Sequence, residues 1–198
     1  ADEVELVGNI LDATNISHVK YTPHFEHGVL LACCENIAND DISLISGQDY
    51  KDWCTHTNKN FIKEVCKINE SLFAKMCVMD YLLANTDRHL ENIALLMNNH
   101  TGIILDIAPL YDHNQALIAD AIGTDIDKLF YDPTETDMLT AARTYFTKAD
   151  LQINWEKLGK QNLLRFLEKP LQIKIKYENL TKDLQEEIEI DDYNNETR

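Results

Sequence analysis

The stretch from Phe61 to Leu83 constrains this chain most. Val65, Ile68, Leu72, Met76, Met79 and Leu83 recur at spacings of three and four, so one long helical stretch, or two pieces in line, must bury a wide apolar stripe. The stripe ends at a polar loop, "NTDRHLEN", residues 85–92, and strand patterning begins at once. "IALLM" and "GIILDIAPL" flank "NNHTG", which is a hairpin signal. The order helix, polar loop, hairpin is the frame into which the other segments are fitted.

Upstream, "ADEVELVGNILDATNI" places Val4, Val7, Ile10 and Leu11 at helical spacing, with Asp2 and Glu3 where the helix dipole favours acids. "SHVKYTPHF" and "GVLLACCENI", separated by "EHG", predict another hairpin. Residues 38–60 are polar and turn-rich and predict a connection with short irregular pieces. From Thr134 onward the pattern predicts amphipathic helices cored by "AARTYF", "NWEKLGKQNLLRFL" and "KPLQIKIKYENLTKDLQEEI", then a frayed acidic end, "EEIEIDDYNNETR".

Charge narrows the chemistry. With 18 basic against 34 acidic residues the net charge is −16, and no Lys/Arg-rich block stands out, which argues against nucleic acid as a partner. An anionic nucleotide stays compatible when a divalent metal supplies the positive charge. The five cysteines form no C-x-x-C pair, as expected of a reducing compartment. Neither a membrane-length apolar run nor a signal-peptide pattern occurs, so the sequence reads as cytoplasmic with no membrane partner. His24 and His27 make an H-x-x-H, but on a strand and its turn they lack the shared helical face of a zinc site.

The chemistry-bearing pattern is Asp87, His89 and Asn92 in one loop, with Asp112 after the hairpin. A loop Asp can accept or orient a hydroxyl proton, while an Asn carbonyl and a second carboxylate are hard oxygen ligands suited to Mg²⁺. Asp-x4-Asn, hairpin, Asp is the order of the protein-kinase catalytic loop. Singly, each has a plainer role: Asp87 could cap a turn, Asn92 could start a strand, Asp112 could open an Asx-turn. Together they fit that explanation poorly.

"NTDRHLEN" followed by "APLYD" resembles the HipA-like serine/threonine kinases of bacteria, and the D-R-H-x-x-N core is similar to that of phosphoinositide kinases, distant relatives of the same fold. The resemblance covers residues 1–117 and reaches the later helices only loosely. It implies an α+β, protein-kinase-like fold: a partial small lobe over residues 1–37, with the hinge near 34–36, and a mainly α-helical large lobe over 38–198. Catalytic loop 85–92 and metal-binding segment 106–114 belong to the large lobe. By the same resemblance Asp87 is the catalytic base, His89 a phosphate contact, and Asn92 and Asp112 the Mg²⁺ ligands. Asp106 is the rival to Asp112, which the "PLYD" wording favours. Cys34, Glu35 and Asn36 would hold adenine, Glu5 or Glu3 would be the helix glutamate, and Arg88 a surface or structural ion-pair partner. Also implied are ATP and Mg²⁺, a protein Ser or Thr substrate, and an antitoxin-like protein partner.

The pattern breaks at one point. A kinase needs a glycine-rich loop over the phosphates and a strand lysine. The glycines here stand at 8, 28, 47, 102, 123 and 159, and no Lys or Arg precedes the first helix. The expectation is a piece lacking the first small-lobe strands and inactive by itself. A non-catalytic interaction module, or a pseudokinase that keeps the large lobe, is the alternative. A lipid kinase is a third reading, opposed by the want of a basic patch for an anionic headgroup.

Overall fold

The computed structural model describes residues 2–171. Helix α1 (Asp2–Asp12) buries Val7, Ile10 and Leu11, the face that the spacing predicts. Strands β1 (Thr22–Glu26) and β2 (Val29–Cys33) pair antiparallel from Thr22↔Cys33 to Glu26↔Val29. Their two-residue turn is His27–Gly28, with φ of 49° and 80°, the left-handed pair that a tight hairpin turn requires. The predicted first strand is shorter than expected, because Ser17–Val19 pairs elsewhere. His18 forms a parallel bridge with Leu110, Val19 N donates to Leu110 O at 2.8 Å, and Leu110 N donates to Ser17 O at 2.9 Å.

Residues 38–60 are more regular than expected: they hold β3 (Ile42–Ser46) and α2 (Gly47–His56). The partner that makes β3 a strand is distant. β3 pairs with β4 (Ala94–Asn98), which pairs in turn with β5 (Ile104–Ile107), giving an antiparallel sheet of order β3-β4-β5. Ser46 caps α2 by accepting from Asp49 N at 3.0 Å. Gly47 N donates to Ile93 O at 2.7 Å, and a Cβ at this position would lie 2.7 Å from Leu90 O, so only glycine lets α2 start against the polar loop.

The long stripe becomes α3 (Phe61–Leu82), interrupted at Asn69, whose φ of −156° and ψ of 84° leave the helical region. The Asn69 side chain explains the break. Its Oδ1 accepts from Leu72 N at 2.9 Å and restarts the helix, while its Nδ2 donates to Asp106 Oδ1 on β5 at 2.8 Å. After this kink Leu72 to Ala74 and Met76 to Leu82 are buried. Each large apolar side chain buried there contributes about 1.5–3 kcal/mol. Helix α5 (Met138–Tyr145) packs across it, with Phe73 and Tyr145 rings edge to face at 5.2 Å.

Between β5 and α5 the chain forms α4 (Ile118–Ala121) and the short pair β6 (Phe130–Tyr131) and β7 (Thr136–Asp137), none of which the patterning predicts. The stretch "NWEKLGKQNLLRFL" is two helices, α6 (Trp155–Leu158) and α7 (Lys160–Glu168), divided at Gly159. Of the last predicted helix only Lys169–Leu171 is described, as non-helical chain; its remainder and the acidic end lie outside the described residues.

Candidate active site

The polar loop is suspended from the end of α3. Ala84, at φ 49°, turns the chain out of the helix, and Asn85 N closes the turn by donating to Asp80 O at 2.7 Å. The loop then makes a single 3-10 turn, Leu90–Asn92, whose first amide donates to Asp132 Oδ2 at 3.1 Å.

Beneath the loop lies a buried ion pair. Arg88 Nε donates to Asp80 Oδ2 at 2.9 Å and Nη2 to Asp80 Oδ1 at 3.2 Å; the side chains are 0% and 1% exposed. Asp80 also accepts from Tyr131 OH at 2.6 Å and Asn85 Nδ2 at 2.8 Å, so it is saturated by donors. Burial opposes the Arg88 charge, but Asp80 outweighs it and holds the guanidinium pKa above its usual value. Burial, followed by Asp80, pushes the Tyr131 phenol well up. Asn85 Oδ1 is buried without a partner.

The remaining Arg88 nitrogen gives the site its geometry. Nη1 donates to Asn92 O at 2.7 Å and to Tyr111 O at 2.8 Å, so one guanidinium ties the end of the loop to the residue before Asp112. Asn92 Nδ2 donates to Asp87 O at 3.0 Å, and Oδ1 receives no protein donor among the described residues. Asp112 has φ 53°, a left-handed conformation uncommon outside glycine, and its N donates to Tyr21 OH at 3.3 Å. Burial first, partly offset by that bond, raises the Tyr21 pKa. Neither the Asp87 nor the Asp112 carboxylate accepts a hydrogen bond from the described residues, so both oxygen pairs are open to a ligand. Next to Asp112, His113 is buried; desolvation and the Arg88 charge push its imidazole down to about 3, which keeps it neutral.

The structure thus brings the carbonyls of Asn92 and Tyr111, the residue before Asp112, to one guanidinium, with Asp87 on the same loop as Asn92. His89 is exposed at the loop's outer edge, its N donating to Asp87 O at 2.9 Å. Asp106 does not join them: its carboxylate is held by Asn69 and by Ile107 N at 2.7 Å, inside the β5–α3 contact. Arg88 is the buried structural partner rather than a surface one.

The predicted hinge follows β2, and Cys34, Glu35 and Asn36 are all exposed. Cys33, Cys34, Glu35 and Ile37 line a cleft of about 630 Å³ with His18, Lys20 and Pro109; Asn36 instead accepts from Ala38 N at 3.1 Å. A larger cleft, about 690 Å³, lies between the end of α1 and the start of α6 and contains no loop residue. Glu5 and Glu3 sit on α1, with side chains outside the described residues. Sequence reasoning missed Asp80, Tyr131 and the cleft-wall pair Lys20–Asp12, with Nζ to Oδ1 at 3.0 Å. The hydrogen bond from Lys20 is the main reason the Asp12 carboxyl lies below its usual value. Asp80 did leave a signal: a carboxylate inside the apolar run "CVMDYLL" must be paired if buried. Tyr131 left none. Among the described residues no three His, Cys, Asp or Glu side chains gather as a metal-binding group, and His24 and His27 join no such group.

Residues 46–135 match the family model described as phosphatidylinositol 3- and 4-kinase, a span from the cap of α2 through the loop to the turn before β7. A search of curated proteins found no match. Among solved structures, the chain is similar to the Helicobacter pylori proinflammatory kinase CtkA, with a TM-score of 0.57 and 15% identity over 91% of this chain and 80% of that one. Among the described residues no helix is long and apolar enough to cross a membrane. The fold is protein-kinase-like, and its central region is similar to the phosphatidylinositol 3- and 4-kinase family.

Proposed function

We propose that the chain carries the large lobe and part of the small lobe of a HipA-like kinase that transfers a phosphoryl group from ATP to a protein Ser or Thr. The observation that supports this reading is the Arg88 guanidinium, which binds the carbonyls of Asn92 and of Tyr111, the residue before Asp112. The donor set fits Mg²⁺: the Asn92 Oδ1 and the Asp112 carboxylate are hard oxygens with no protein donor among the described residues. Magnesium bound there would neutralise phosphate charge. Asp87, with its carboxylate open, orients the acceptor hydroxyl and takes its proton. By the same resemblance His89, at the solvent edge, would contact the phosphates, and the backbone around Cys34, Glu35 and Asn36 would hold adenine. The helix glutamate is assigned to Glu5. A cytoplasmic setting and an antitoxin-like partner belong to the same proposal.

No glycine-rich loop stands in this sequence. That observation favours a second reading, a non-catalytic interaction module, and it sets the experiment. Titration calorimetry on this chain is expected to give weak ATP binding that requires Mg²⁺ and disappears in Asn92→Ala and Asp112→Ala, with no phosphotransfer. A version extended by a glycine-rich loop and lysine is expected to transfer phosphate from radiolabelled ATP, and Asp87→Asn to lower that rate by at least about a hundredfold. An extended version that transfers no phosphate leaves the interaction module standing, metal-independent ATP binding removes Asn92 and Asp112 as metal ligands, and a fully active Asp87→Asn removes Asp87 from the mechanism.

A further inference from the structure

The chain between Asp112 and Asp132 leaves the candidate site and returns to it. At its start Arg88 holds Tyr111 O, and Leu117 N donates to Leu83 O at 2.6 Å. At its end Tyr131 OH reaches Asp80, and Asp132 accepts from the Leu90 amide. Both ends are therefore fixed to the polar loop and the helix that carries it. The middle presents large apolar side chains to solvent: Ile122 is 74% exposed, Phe130 66% and Ile118 36%. Ile122 N donates to Ile118 O at 3.1 Å, so these two isoleucines stand one helical turn apart on the same side.

We infer that this outer surface docks a basic segment of a protein substrate through its own apolar side chains, a reading that rests on the phosphotransfer proposed above. Charge selects the occupant. In sequence the segment carries Asp120, Asp125, Asp127 and Asp132 against Lys128 alone; Asp125 is exposed, while Asp127, accepting from Tyr81 OH at 2.6 Å, and Asp132, accepting from Leu90 N at 3.1 Å, keep their charge without a cationic partner among the described residues. A phosphoinositide headgroup would meet like charge here, as would a second copy of a chain with net charge −16. A cationic peptide with apolar residues satisfies both features of the surface.

The test uses this chain and a fluorescein-labelled peptide with arginines and leucines around one serine, followed by fluorescence anisotropy. The basic peptide is expected to bind at least about tenfold more tightly than its glutamate-substituted counterpart, and Ile122→Ser combined with Phe130→Ser to weaken it by about tenfold. Both substitutions fall at exposed positions, and far-ultraviolet circular dichroism checks the fold. Equal affinity for the two peptides, an unchanged double variant, or preferential co-sedimentation with phosphatidylinositol-phosphate vesicles would each overturn the proposal. Mg²⁺-dependent ATP titration of the same samples separates the two readings. Retained nucleotide binding with absent peptide selectivity removes only the docking surface, and lost nucleotide binding removes the phosphotransfer reading.

Discussion

The polar loop and the β1–β2 hairpin are both short segments outside the α-helices, yet they are held by opposite means. Under the loop, Asp80, Arg88 and Tyr131 are buried and joined by charge-assisted hydrogen bonds that leave the backbone of Asn92 and Tyr111 little freedom. The hairpin has both faces in solvent, with Phe25, Val29, Leu30 and Leu31 exposed and its two strands paired only with each other. A lone two-stranded hairpin is marginal in water. The contrast teaches where this fold concentrates its rigidity: under the loop that carries Asp87 and Asn92, and away from the strands that border the cleft.

Substitutions can break or sharpen that contrast. Arg88→Ala leaves Asp80 charged, buried and unpaired, and is expected to cost about 3–5 kcal/mol in urea unfolding. Replacing Asp80 by Leu in the same chain should recover part of that loss, whereas equal damage from single and double variants would remove the ion pair from the account. Tyr131→Phe deletes one bond to a charged acceptor and should cost about 1.5–3 kcal/mol.

Acid tests the same region. The His113 pKa is depressed by burial from 6.5 to about 3, so the unfolded chain binds the extra proton in between. Stability is complete above the unfolded value and falls as pH drops through this window, by up to about 1.4 kcal/mol per unit. His113→Gln should flatten that limb, and an unaltered limb would place the acid sensitivity elsewhere. The smallest effect belongs to the hairpin: Phe25→Ser, at a side chain already 70% exposed, should change stability by no more than about 0.5 kcal/mol. A larger loss would mean that the hairpin is covered in solution.

How much was legible varies with distance along the chain. The spacing left one long helix or two pieces in line open, and α3 is helix broken at Asn69; the loop and following hairpin stood where the pattern placed them. β3 was missed because "ISLIS" neither alternates cleanly nor forms an apolar run, and its partner is β4, beyond the whole of α3. The choice between Asp106 and Asp112 rested on wording alone. In three dimensions Asp106 is taken up by Asn69, and Asp112 stands beside the residue that Arg88 grips.

The sequence by itself determined the elements whose cause is local: the apolar spacing of α1 and α3, the His27–Gly28 turn, and the order Asp87, Asn92, Asp112. Tertiary structure alone decided that Arg88 is the buried pivot between Asn92 and Tyr111, and that Tyr131 reaches back to Asp80. The physical reason is that periodicity reports which face of one element avoids water, whereas the pairing of a buried charge depends on groups from several elements meeting at one point.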